Sequence, residues 1–258
     1  MTFLKNFIET GSEIREHIST LENKEQRIGY TGMGADGTLT SRLDKLAEDK
    51  IIERINDIDL PFNIISEEIG FVDRGYDSNI IMDPLDGTYN AENQIPLYSM
   101  SLAVMKDDFT SLQEAFVMNL ATGNYFWATK GNGAYRNGYR IEKAERRSHA
   151  SVVYNLEETE VPEFLKNDIT RKRILGCASM ELALLANGAL DNVAYLGREK
   201  KLRNVDIAAG VLLVEEMGGF VFDGNLKKMN MGKDVRERKN MIALSSFYKG
   251  EIEELENR

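Results

Sequence analysis

The run Asp83-Pro84-Leu85-Asp86-Gly87-Thr88 places two carboxylates three positions apart, directly after the apolar stretch Asn79-Ile80-Ile81-Met82. A short apolar run of this kind predicts a buried strand. Pro84 fixes its own φ and has no N–H, so the strand is expected to end there, leaving the Leu85 carbonyl free to act as an oxygen ligand. Gly87 lets the backbone approach a ligand closely, and the amides of Gly87 and Thr88 suit an anion. Two hard acids beside an amide cradle imply Mg²⁺ and a phosphate. Loops at the carboxyl ends of strands are where α/β enzymes place their chemistry, and that limits the folds able to use this turn.

The flanking pattern supplies the rest of such a fold. Phe3, Leu4, Phe7, Ile8, Ile14, Ile18 and Leu21 recur at helical spacing and predict an amphipathic helix over about residues 2 to 23. Gly29 to Thr38 is too rich in glycine for a regular element. A second helix is expected from about Ser41 to Asn56, with Thr40 or Ser41 as its cap. Phe62-Asn63-Ile64-Ile65 predicts a strand that delivers Ser66-Glu67-Glu68 at its end, and only one of those adjacent glutamates is expected to face the site. Leu97 to Val104, Ala115 to Met118 and Tyr125 to Ala128 read as an antiparallel meander with Gly123-Asn124 as a turn. Beyond it, strands are expected at Ser151–Tyr154, Arg173–Gly176, Asn192–Leu196, Gly219–Phe222 and Met241–Leu244. Helices are expected at Met180–Ala186, Val205–Met217 and Tyr248–Glu256.

Charge and cysteine content narrow the function. A formal net charge of −10 argues against nucleic-acid binding through a broad basic surface, and it requires cations to bridge an acidic protein to an anionic substrate. Cys177 is the only cysteine, so no intramolecular disulfide forms, and core packing is its expected role. No window approaches the about 20 apolar residues of a membrane span, and Met1 to Glu13 is unlike a secretory signal. A cytoplasmic protein with no membrane partner is the expectation. His17 and His149 stand alone in the sequence and are read as surface or core residues.

Asp83 to Thr88 resembles the D-P-[IL]-D-G-[ST] signature of the inositol monophosphatase superfamily of Mg²⁺-dependent sugar phosphatases. Ser66-Glu67-Glu68 is similar to that family's upstream acidic pair. Val205-Asp206-Ile207-Ala208-Ala209-Gly210, followed by Glu215-Glu216-Met217-Gly218-Gly219, is similar to its W-D-x-A-A-G…E-x-G-G motif, with valine in place of tryptophan. Ala35 to Thr40 with Asp44 resembles the mobile-loop element before the second helix. The details around Gly34–Thr38, Thr88–Ala91 and Ile95-Pro96 look most like the archaeal branch, whose members often hydrolyse both inositol-1-phosphate and fructose-1,6-bisphosphate.

The resemblance implies an α/β (α+β) fold, a layered α/β/α/β/α sandwich. Residues 1–258 would form one compact unit with approximate halves 1–145, carrying the metal and phosphate motifs, and 146–258, carrying Asp206. It implies roughly two to three Mg²⁺ per site. Glu67, Asp83 and the Leu85 carbonyl would serve one ion, Asp83, Asp86 and Asp206 another, and Asp83 would bridge them. A weaker third ion would lean on Glu67. Asp44 and Thr88 would orient the attacking water, with Glu67 also catalytic, for direct attack on phosphorus with inversion. Asp86, Gly87 and Thr88 would meet the phosphate, with Arg173, Ala178 and Arg198 as further substrate-side candidates.

Family members are usually dimers or tetramers, so a homodimer or homotetramer is expected. The basic run Arg198, Lys200, Lys201, Arg203 is either a solvated loop or a site for a second anionic group. Three substrate readings stay open: the dual activity, inositol monophosphate alone, or 3′-phosphoadenosine-5′-phosphate or NADP. A non-catalytic metal-binding scaffold for a protein or RNA partner is the alternative from another class.

Overall fold

The structure, a computed structural model, describes residues 2–145, 147–155, 162, 165, 171–198 and 202–256. Two amphipathic helices form its first layer. Helix α1 (Thr2–Thr20) buries Phe7, Ile14 and Ile18. After the short α2 (Lys24–Arg27), α3 (Arg42–Asp57) buries Leu43, Ala47, Ile51 and Ile55. Ser41 is the N-cap of α3: its hydroxyl accepts from the Asp44 amide at 3.1 Å, and the Asp44 carboxylate accepts from the Ser41 amide at 3.2 Å. This reciprocal cap holds Asp44 at the first turn of the helix.

The glycine-rich stretch between these helices is regular in part, with residues 34–38 forming the turn of a hairpin. Strands β1 (Tyr30–Met33) and β2 (Leu39–Ser41) pair as an antiparallel hairpin. Every residue of β1 is exposed, so the hairpin rests on backbone pairing and leaves no apolar alternation in the sequence to announce it.

Helices α1 and α3 pack on an eight-stranded sheet. Its order is β10 (Tyr139–Arg140), β9 (Ala134–Arg136), β8 (Tyr125–Thr129), β7 (Glu114–Asn119), β6 (Ser99–Met105), β5 (Asn79–Asp86), β3 (Asn63–Ser66) and β4 (Gly70–Val72). Only β3 and β5 of this sheet run parallel, and every other neighbouring pair is antiparallel. Strict alternation divides the central strands between two cores. Ile80, Met82, Met100, Leu102, Phe116 and Met118 face α1 and α3, whereas Ile81, Ala103, Met105, Ala115 and Val117 face the opposite way. Each of these Ile, Leu, Val, Met and Phe side chains, fully buried, contributes about 1.5–3 kcal/mol.

A second helical layer lies behind that sheet. Helices α5 (Ala178–Ala186) and α6 (Asn204–Glu216) are buried almost all round, because the second sheet covers their other side. A Cβ on Gly210 of α6 would come within 2.5 Å of Leu182 Cβ on α5, so glycine is what permits the two helices to approach this closely. The second sheet has the order β12 (Arg171–Arg173), β11 (Ala150–Asn155), β13 (Asn192–Leu196), β15 (Met241–Leu244) and β14 (Phe220–Asp223). Helix α7 (Lys249–Glu256) closes the far face through Ile252, against Ala194, Leu196, Ile242 and Leu244. The layers run α/β/α/β/α, as the resemblance implies. The strand expected at Arg173–Gly176 ends at Arg173, and Leu175 and Gly176 instead donate their amides to Glu181.

Candidate active site

The site gathers at the carboxyl ends of β3 and β5. Ser66 pairs with Met82 in the parallel register, so the residues that follow, Glu67 and Asp83, emerge side by side. Strand β5 does not stop at Pro84 as the sequence suggests. Asp83 pairs with Ser101 and Asp86 with Ser99, so three steps on β5 match two on β6 and the extra residue is a bulge. Proline is tolerated because the bulge needs no donor there. Gly87 then turns the chain at φ +86°, where a Cβ would meet Cys177 Cβ, Gly176 O and Leu97 O at 3.2 Å each. Thr88 opens the short helix α4 (Thr88–Glu92), with its hydroxyl donating to Asp44 Oδ1 at 2.9 Å.

The third wall is the start of α6. Carboxylate oxygens of Glu67, Asp83 and Asp206 all lie within 4.8 Å of one another. Asp83 is 1% exposed, and its Oδ2 has no hydrogen-bond partner. Asp86 takes a separate set of contacts: its Oδ2 accepts from the Ser179 amide at 2.7 Å, the Ser179 hydroxyl at 2.6 Å and the Cys177 thiol at 3.4 Å. Ala178 is buried between those two donors at the first position of α5.

Burial and mutual repulsion show in the acidities. Desolvation pushes Glu67 up to about 8, with Arg203 pulling it down and Asp206 pushing it further up. Asp83 is raised well above the usual carboxylate range by burial, then by Glu67 and Asp86. Asp86 rises only to about 6, because burial and Asp206 are opposed by the Ser179 hydrogen bonds. Asp44 is raised as well, chiefly by burial. Cys177 is buried, as expected, and burial together with Asp86 raises its thiol far from ionisation.

Two groups were not legible as site residues. Arg203, read from sequence as part of a basic loop, turns its guanidinium into the carboxylates. Its Nη1 donates to Asp36 Oδ2 at 2.8 Å and also to Glu67 Oε1, its Nη2 lies 2.6 Å from Asp206 Oδ1, and Asp83 Oδ2 is 3.8 Å away. The signal available was the three-residue spacing to Asp206, which forms the N-terminal cap of α6. Ser179 is the other, and nothing in its local sequence marks it.

Asp36 both shapes its turn, through Thr38, and meets Arg203 and Arg238. Glu68, expected to be solvated or secondary, is 8% exposed and accepts from the Thr40 hydroxyl. Arg173 and Arg198 are exposed on the second sheet's side, and His17 and His149 are also at the surface. Lys200 and Lys201 lie outside the described residues.

Hard oxygen donors, a buried orphan carboxylate oxygen and one guanidinium facing four acids make a donor set that fits a divalent cation. Fold and site together define a metal-dependent phosphatase. The chain belongs to the inositol monophosphatase family, whose profile matches residues 3–257. A fructose-1,6-bisphosphatase/inositol-1-monophosphatase of Archaeoglobus fulgidus is 37% identical over 241 residues, covering 91% of this chain and 90% of the relative. One of the same description from Thermococcus kodakarensis is 33% identical over 239 residues, covering 93% and 91%. Among solved structures, an inositol monophosphatase–fructose 1,6-bisphosphatase superposes with a TM-score of 0.85 at 27% identity, covering 98% of both chains. The protein is accordingly a phosphoric monoester hydrolase of sugar phosphates. Among the described residues, no helix is long and apolar enough to cross a membrane.

Proposed function

We propose that this chain hydrolyses both inositol-1-phosphate and fructose-1,6-bisphosphate with Mg²⁺, as the descriptions of its archaeal relatives suggest. The observation that carries the reading is the meeting of Glu67, Asp83 and Asp206 beside the Thr88–Asp44 pair. Glu67, Asp83, Asp86, Asp206 and the Leu85 carbonyl are the proposed ligands of two to three Mg²⁺. Bound there, the ions would neutralise phosphate charge and acidify water, the two needs of a reaction whose enzymatic acceleration reaches on the order of 10²¹.

The protein's own groups do the aligning. Thr88 donates its hydroxyl proton to Asp44, leaving its oxygen lone pairs to accept a hydrogen bond from a water. As that water attacks phosphorus in line, its proton passes to Thr88 Oγ1 while the Thr88 proton moves to Asp44, and the ester P–O bond opposite breaks to release the sugar oxygen, which takes a proton from solvent water. Burial raises the pKa of Asp44, which makes its carboxylate a better proton acceptor. The Gly87 and Thr88 amides would receive phosphate oxygens, and Ala178 would border the sugar. Arg173 and Arg198, both exposed cations, would serve the second phosphate of a bisphosphate. We further propose a homodimer or homotetramer of single-unit protomers, working in the cytoplasm without nucleic-acid partners.

Phosphate release measured with and without Mg²⁺ on inositol-1-phosphate, fructose-1,6-bisphosphate, 3′-phosphoadenosine-5′-phosphate and NADP tests the proposal. Mg²⁺-dependent release from the first two is the expected outcome. Release from nucleotides alone would overturn the substrate assignment, and release from none would favour a binding role for the metal site.

A further inference from the structure

We propose that Arg203 is a counter-ion built into the metal site, a positioning residue whose guanidinium holds the cation position in the metal-free protein and has to leave before a divalent cation binds. The inference rests on the reading that Glu67, Asp83 and Asp206 are ligands. The guanidinium lies among the same three carboxylates whose oxygens converge within 4.8 Å, and it takes direct contacts from Glu67 and Asp206. Mg²⁺ demands oxygen ligands at about 2.0–2.1 Å in near-ideal geometry. An ion seated among these oxygens would press against the guanidinium nitrogens, so the two cations are alternatives.

Arg203 is an incomplete substitute, and that is what makes the exchange favourable. One positive charge faces Glu67, Asp83 and Asp206 while sharing Asp36 with Arg238, and Asp83 Oδ2 remains 3.8 Å away and without a hydrogen bond. A divalent ion carries twice the charge and reaches that oxygen.

The arginine also has somewhere to go. Its backbone amide stays fixed to Asp206 Oδ2 at 2.7 Å as the cap of α6, so only the side chain must move. Asp36, in the turn of the β1–β2 hairpin, is already bonded to its Nη1 and to Arg238 Nη2 at 3.0 Å. The displaced guanidinium keeps Asp36, which connects metal occupancy to the position of the hairpin.

Because the binding-competent state is populated only when Arg203 is out, the apparent Mg²⁺ affinity is lowered by that fraction. The test is calorimetric titration of the full chain, stripped with chelator, with Mg²⁺ alone, on the wild type, Arg203→Gln and Arg203→Lys. Arg203→Gln should bind about tenfold more tightly, and it should melt at a lower temperature than wild type in chelator but not in saturating Mg²⁺. Arg203→Lys, which lacks the planar fork, should fall between the two. Should the glutamine variant fail to fold without metal, the lysine variant carries the test through its tighter binding. Equal or weaker binding by folded variants overturns the counter-ion role and leaves the metal reading intact. Absence of Mg²⁺ binding in all three proteins overturns the metal reading, and the inference with it.

Discussion

Asp83 and Asp86 leave one turn three residues apart and meet opposite surroundings. Asp83 points toward Glu67, Asp206 and the Arg203 guanidinium, with one oxygen accepting from the Leu85 amide at 3.0 Å and the other bonded to nothing. Asp86 points the other way, onto the start of α5, where an amide, a hydroxyl and a thiol converge on a single oxygen. The pKa values follow: that of Asp83 is driven far up by burial and like charge, whereas hydrogen bonds restrain that of Asp86 to about 6. An orphan oxygen in a dry, acidic setting is destabilising without a cation beside it, so the first neighbourhood suits the proposed ligand role of Asp83. The second is built to hold a carboxylate still.

The largest effect should come from removing the carboxylate charge at Asp83. Asp83→Asn is expected to lose Mg²⁺ binding and to lower activity by at least on the order of 10³, read by calorimetry and phosphate release together. Normal turnover in this variant would remove Asp83 from the proposed ligands. Thr88→Ala should separate the chemistry from the metal: kcat falls on the order of 10²-fold while the Mg²⁺ isotherm stays unchanged. A parallel loss of metal binding would instead make Thr88 part of the ligand cage.

Acidity supplies the next measurement. Glu67, pushed up to about 8 by desolvation, and Asp86, raised to about 6, must be ionised to hold a cation. Protons compete with metal below those values, so Mg²⁺ affinity should fall as pH drops from about 8 to 6, by up to about tenfold per unit for each proton displaced. A flat titration across that window would contradict the crowded, desolvated picture of the cluster. The smallest effect is expected at Ser179→Ala, which takes one of the donors from Asp86. It should weaken Mg²⁺ binding by about tenfold and leave the fold unchanged by circular dichroism, as loss of a contact that orients a ligand does.

Much of this was legible beforehand. Helical spacing in residues 3–21 and 43–55, and apolar runs at 79–82 and 241–244, report burial on one face or two, a property each residue carries with it. The turn at Gly87 was legible for a similar reason, since glycine permits a positive φ wherever it occurs, whereas Pro84 did not end the strand because a bulge takes it up. The β1–β2 hairpin was not legible, because a fully exposed strand such as β1, held by backbone hydrogen bonds, imposes little on side-chain type. Arg203 was placed in a solvated or substrate-facing loop because charge runs carry no record of direction.

By itself, then, the sequence determined the elements and the inventory of acids: periodic burial places α1, α3 and the central strands, the layered order followed from the family resemblance, and the Asp83–Thr88 run sets two carboxylates and a glycine at a strand's end. Tertiary structure decided how the acids are shared. Glu67, Asp83 and Asp206 are more than 120 residues apart at their extremes, and only the parallel β3–β5 register and the seating of α6 bring their oxygens within 4.8 Å. Electrostatic interaction depends on distance and dielectric, and the folded chain alone sets both.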